Sequence, residues 1–198
     1  MKRSSKAIGF LKDHLVDSTA IIAESTPVFA LSETVLVGMS DKVSLNARLF
    51  AAMLVYSGIG FVFGKGRDIS RNFFKIDGTT SEKIQNLHDT LYTGAFNLVT
   101  APAIYYISGE QDLEKILYGT ALATGLGAIN GSPTGYSIDI FRDLTGLKKS
   151  ERISRFVNRY SSGIKKGIVA LLIAGSISLT AGIYYATQNN EITHQTIQ

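Results

Sequence analysis

Apolar residues in this chain gather into five long runs, at 18–39, 45–63, 90–109, 113–130 and 167–187. Each approaches the ~20 residues that a helix needs to cross the hydrocarbon core of a bilayer. The charged residues fall mostly between the runs. This pattern predicts an all-α fold, a polytopic membrane bundle of two helical hairpins followed by a fifth helix. The first run departs most from a passive anchor. The stretch 17–40, DSTAIIAESTPVFALSETVLVGMS, carries Glu24 and Glu33 and is interrupted by Pro27. A carboxylate near the centre of a spanning helix costs about 2.5–3.5 kcal/mol on insertion scales. This helix is therefore expected to carry the function and the others to pack against it.

The segments between the runs sharpen the picture. Residues 1–16 are basic (Lys2, Arg3, Lys6, Lys12), with Ile8, Leu11 and Leu15 at helical spacing, which predicts an amphipathic helix on the membrane surface. A cleaved signal peptide is not expected, because the first run is too long, holds two glutamates and lacks an A-x-A-like site. Thr79-x-x-Glu82 is a capping-box pattern and predicts a helix that starts there and runs into the third segment. Asn130-Gly-Ser-Pro-Thr-Gly135 predicts a turn-like break at the end of the fourth. Residues 145–166 set Ile153, Phe156, Val157 and Tyr160 opposite Arg152, Arg155 and Arg159, the pattern of an interfacial helix on an anionic leaflet. The run at 167–187 has no charge and is expected to be an anchor, and the polar tail 188–198 to be loose.

Basic residues set the expected orientation. Seventeen Lys and Arg lie before run one, between runs two and three, or between runs four and five; Lys42, Arg48 and Lys115 lie on the other side. The positive-inside rule then places the N-terminus in the cytoplasm and the C-terminus outside the cell (inner) membrane, with the lipid bilayer as the chain's surroundings.

Composition agrees. The chain is 45% hydrophobic and only 18% charged, against about 25% charged in soluble domains. A pI near 9.2 would suit nucleic acid, but the placement of the charges favours a membrane, and no nucleic-acid partner is expected. The absence of cysteine excludes disulfides and thiolate metal sites. His14, His88 and His194 lie far apart, and no HExxH, GxSxG or P-loop occurs, so neither an enzyme, a metal nor a cofactor is expected.

Small residues recur four apart on one stripe of the fourth run: Gly119, Ala123, Gly127, Gly131 and Gly135. Such a ladder lets helix backbones approach closely, either within the chain or between copies. Because four or five short helices leave little room for an enclosed pathway, a homo-oligomer, most simply a dimer, is expected.

The two hairpins share a pattern. Asp17 is followed at +10 by Pro27, at +21 by Gly38 and at +50 by Arg67-Asp68; Asp89 is followed at +13 by Pro102, at +20 by Gly109 and at +53 by Arg142-Asp143. Such repeats, both running in–out–in, would be parallel. Prolines at matching positions of the two halves, here Pro27 and Pro102, point to a binding site.

The charges divide by depth. Glu33 and Arg48 approach from the outer side and are expected to pair across the first hairpin. Asp17, Arg67, Asp68, Asp89, Asp139 and Arg142 form an inner layer, with Asp139 and Arg142 three residues apart on one helix. They serve either as gates or simply to neutralise charge at the headgroups. Glu24 and Glu33 are nine residues apart, on opposite faces of a regular helix unless Pro27 kinks it. Glu24 has no evident basic partner and is the expected proton carrier.

Taken in order, several of these residues resemble the small bacterial L-alanine exporters: Asp17-Ser-Thr-Ala20, Glu33, Gly38-Met-Ser40, Ser44 with Arg48-Leu49, Gly64-x-x-Arg67-Asp68, Asn86-Leu87-x-Asp89, Phe96 and Gly135-Tyr136-x-x-Asp139-x-x-Arg142. The resemblance spans about 17–144. It implies a four-helix inner-membrane domain that exports a small neutral amino acid using the proton gradient. Two features depart from that pattern: about four extra residues near 131–134, and the basic segment with the fifth helix. A non-transporting membrane scaffold is the alternative.

Overall fold

The computed structural model describes residues 2–77, 80–147 and 160–196. All regular structure among the described residues is helical. The order is α1 (Lys2–Leu31), a π-type turn (Ser32–Leu36), α2 (Asp41–Leu54), a second π-type turn (Val55–Ile59), α3 (Gly60–Phe73), α4 (Glu82–Ile107), α5 (Leu113–Leu144) and α6 (Ser162–Thr196).

The turns follow from local chemistry. Gly38 and Gly109, the residues matched in the two hairpins, both take positive φ, +71° and +104°, where a Cβ would be strained. Ser40 then caps α2 by accepting from the Val43 N–H, and Asp112 caps α5 by accepting from Glu114 and Lys115. Gly58, at φ +115°, breaks the second apolar run into α2 and α3.

Several elements differ from the sequence reading. Residues 2–16 form one continuous helix with the first run, and α3 continues through Arg67 to Phe73, ten residues past the end of the second apolar run at 63. The helix expected to begin near Glu82 does so, with Ser81 as the cap residue; Thr79 lies outside the described residues. Neither Pro27 nor Pro102 ends its helix. The turn expected at 130–135 is absent, and α5 runs through Pro133 to Leu144. A proline inside a helix costs about 3 kcal/mol, a cost that the long packing of α5 on α4 offsets. The tail expected to be loose is helical as far as Thr196. The stripe at 152–157 with Arg159 lies outside the described residues.

The buried set is rich in small and polar residues, beside the larger apolar Val37, Met39, Tyr105, Ile116, Phe141 and Leu144. Ala20, Ala30, Ala47, Ala101 and Ala123 are buried together with Ser18, Ser32, Glu33, Ser44, His88 and Asp143. Large apolar side chains such as Leu49, Leu91, Val99, Ile129 and Leu171 point outward. Soluble folds normally bury these aliphatic residues and expose the charged ones. By length and composition alone, one described helix is apolar enough to cross a membrane, within Ser162–Gln188.

The glycine stripe packs inside the chain. A Cβ on Gly119 would lie 2.8 Å from the Met39 methyl and 3.1 Å from the Tyr105 ring. One on Gly127 would run into the Asn97 amide, and one on Gly131 would lie 3.3 Å from the Asp89 carbonyl oxygen. The side-chain surroundings of Gly135 are outside the described set. The stripe therefore joins α5 to α4, the intramolecular alternative. Because the Asp89 backbone as well as the Thr93 hydroxyl faces Gly131, Gly131→Leu cannot be relieved by a side-chain shift alone and should cost about 1–3 kcal/mol by overpacking. Thermal unfolding in mild detergent at two protein concentrations checks this. We expect the same loss at both; a loss that shrinks at high concentration would place the stripe between copies.

Candidate functional site

The site is built in three layers. The first centres on Glu33, which has no solvent exposure. The π-type turn after α1 carries it into the bundle. Ser44 and Arg48 stand one helical turn apart on α2 and so share a face. Arg48 Nη2 donates to Glu33 Oε1 at 2.5 Å, and Ser44 Oγ donates to Oε2 at 2.7 Å. Tyr105 from α4 adds a further side-chain hydrogen bond to Glu33. Since the Ser44 proton goes to Glu33, the Tyr184 hydroxyl of α6, 3.1 Å away, donates to Ser44. Thr187 holds Asp41 at 2.7 Å on the same side. The Arg48 guanidinium lies over the Phe29 ring, 4.9 Å from its centre. The expected Glu33–Arg48 pair is therefore present. Tyr105 and Tyr184 were missed, and nothing in their local sequence sets them apart from lipid-facing tyrosines.

The second layer is a cavity of about 170 Å³ beneath this pair, walled by α1 to α5. Its lining is mainly apolar, with Phe29, Phe63 and Phe96, and its polar groups include Ser25, Asn97, Asn130 and Thr134. Arg48 reaches it from above. An apolar cavity of ~150 Å³ accommodates benzene, so this one suits a solute of about six heavy atoms. Glu24 is not on the wall. Its carboxylate lies behind it, accepting from Thr134 Oγ1 at 3.1 Å and from the Asn130 side chain. These partners are neutral, in keeping with the expectation that Glu24 lacks an arginine. Pro27 and Pro102 are also off the wall, and with their helices continuous, no backbone is unwound at either to receive a solute.

The third layer lies at the opposite end of the cavity from Glu33. Arg142 grips Asp17 with two parallel bonds, Nε donating at 2.6 Å. Arg71 grips Asp89 in the same way, Nε at 2.9 Å, and Arg67 stands 3.8 Å from the same carboxylate. Asp143, buried, accepts from Lys165 of α6 at 2.9 Å. Arg142 thus forks onto another helix rather than onto Asp139, although the Asp139 charge also acts on it. The Asp68 side chain is outside the described set.

The pairing is reciprocal. The first hairpin's Asp17 meets the second hairpin's Arg142, and the second hairpin's Asp89 meets the first hairpin's Arg67 and Arg71. A stronger signal for this was present in the sequence. Ser57-x-x-Gly60-Phe61 with Arg67-Asp68-Ile69 recurs 75 residues later as Ser132-x-x-Gly135-Tyr136 with Arg142-Asp143-Leu144. Arg71 has no such marker.

Asp89 Oδ1 also accepts from His88 Nδ1 at 3.1 Å, and His88 Nε2 lies 2.9 Å from Ser70 Oγ. The order Asp–His–Ser is that of a hydrolase triad. Here both Asp89 oxygens are engaged by Arg71, Ser70 is not on the cavity wall, and His88 stacks on Tyr92. The chain ties α3 to α4. Among the described residues no group of His, Asp and Glu is arranged to hold a metal ion. Comparison with protein-family models, characterised proteins and solved structures finds no match.

Removing one member of a buried ion pair strands the other, at about 3–5 kcal/mol. Glu33→Gln and Arg48→Met should each lower the melting temperature strongly in mild detergent. The double variant should recover much of the loss. If the two losses simply add, the pair does not organise this layer.

Proposed function

We propose that the chain is a multi-pass membrane protein that exports a small neutral amino acid, L-alanine first, in exchange for protons. The observation that carries this reading is the small cavity between two layers of cross-helix ion pairs, inside a bundle whose outward side chains are apolar. A core rich in small and polar residues beneath many exposed large apolar side chains favours lipid over water as the surroundings of α1 to α5, although charged and small residues make these helices less apolar than α6. On this reading the basic N-terminal segment and the basic segments before α4 and before α6 face the cytoplasm, and the C-terminus lies outside. The resemblance to the alanine exporters supplies the substrate expectation, and the cavity's size agrees with it.

The mechanism follows from competition. With the Asp17–Arg142 and Asp89–Arg71 pairs open, a solute enters from the cytoplasm. Glu24 offers a negative charge behind Thr134 and Asn130, close enough to favour the solute's ammonium group. A proton arriving from the acidic side neutralises Glu24 and removes that attraction. One site that holds either a proton or an ammonium exchanges the two. The Glu33–Arg48 pair closes the other end. Copies associate as a homo-oligomer through lipid-facing surfaces rather than through the buried glycine stripe.

Efflux of labelled alanine from preloaded vesicles tests this. We expect efflux to depend on the protein and to rise when the receiving side is acidified. Glu24→Gln should keep expression and remove the pH response. An unchanged pH response would release Glu24 from the proton role. No efflux at all, with one stoichiometric partner protein co-purifying, would favour the scaffold.

A further inference from the structure

We infer that Arg48 is the seat of a free carboxylate in the cavity, so that the ligand class is a small monocarboxylate with a short apolar tail, with or without an amino group. The inference rests on reading the cavity as the solute site, and it goes further by naming the group that the site requires.

Among the described residues that line the cavity, Arg48 alone is charged. A guanidinium has five donors in one plane. Nη2 is engaged by Glu33, Nε is sealed with no acceptor in the protein, and the 11% of the side chain that stays exposed is what Arg48 presents to the cavity. A buried donor without a partner is costly, more so when charged. The Phe29 ring, its centre 4.9 Å from Cζ, holds the guanidinium against an aromatic face. Carboxylates match such a fork, and arginine recognises them with two parallel bonds where space allows.

Glu33 can share Arg48 with a second carboxylate because it does not depend on Arg48 alone. Ser44 donates to its other oxygen and Tyr105 adds a third bond. Its charge is thus spread over three donors. The wall itself carries no carboxylate. What it offers an amino group is neutral, Asn97, Asn130 and Thr134, with Glu24 behind them. An ammonium group is accommodated there without being demanded. The aromatic and aliphatic remainder of the wall, at about 170 Å³, limits the tail to a few carbons.

Isothermal titration of the purified full chain in nanodiscs separates these requirements. The ligands are alanine, propanoate (carboxylate without amine), ethylamine (amine without carboxylate) and alaninamide (amine with a blocked carboxylate). Propanoate should bind within about tenfold of alanine. Ethylamine and alaninamide should bind about 10- to 100-fold more weakly, as expected for a lost charge-assisted bond. Arg48→Lys keeps a cation for Glu33 but lacks the fork. It should weaken alanine and propanoate by the same factor while the melting temperature stays near wild type. Alaninamide binding as tightly as alanine would overturn the inference, as would unchanged alanine binding by Arg48→Lys or binding of neither acid. If Arg48→Lys does not accumulate, the four ligands on the wild-type chain decide. Alanine efflux that persists while alaninamide competes equally would overturn the carboxylate seat and spare the export reading. Propanoate binding with no alanine binding would do the reverse.

Discussion

A carboxylate sealed from solvent must find its counter-charge and hydrogen bonds inside the protein, and Glu33 is sealed completely. Its position dictates much else. The helix after Leu31 widens into a π-type turn that carries it inward. Ser44 and Arg48 must present one face of α2 to it, and Tyr105 must reach it from α4. Through Ser44 the same network extends to Tyr184, so α6 is docked by a polar contact although its sequence is that of a plain apolar span. Three helices are tied to one side chain, α2 and α4 directly and α6 through Ser44. Breaking such a pair costs more than the pair itself contributes, because the residue left behind stays buried.

The far end of the bundle is held by the same principle in duplicate. Asp17 and Asp89 open the two hairpins, and each is gripped by an arginine from the end of the other. Pairs of this kind tie both hairpins together at one level while leaving the middle free of crossed charges. That middle contains the cavity. Glycines at Gly119, Gly127 and Gly131 let α5 lie close against α4 and Met39. The close approach keeps that wall tight and the space small enough to discriminate by size.

The sequence revealed the helices and the acids and bases, because apolar run length and isolated charges are local signals. Glu33 with Arg48 followed from depth alone, and the lack of a basic partner for Glu24 from the same reasoning. What escaped was whatever depends on a neighbour. Pro133 and Gly131 are typical of turns, but α4 holds them in a helix. Gly58 breaks a run that composition presents as continuous. The stripe from Gly119 was equally compatible with a second copy until Asn97 and Asp89 were found facing it. Tyr105, Tyr184 and Arg71 look like ordinary interfacial residues until their partners are known. The Arg142 fork went to Asp17 on a distant helix rather than to Asp139 on its own, since a bidentate bond across helices also satisfies the packing.

Exchange of an amino acid for a proton is the central claim, and proton movement itself is its most direct measure. Sealed proteoliposomes containing alanine and a lumenal pH dye would be diluted into alanine-free medium of equal pH. The account predicts that the lumen acidifies as alanine leaves, with an initial rate that saturates with the alanine loaded. Alanine leaving with no change in lumenal pH would contradict it.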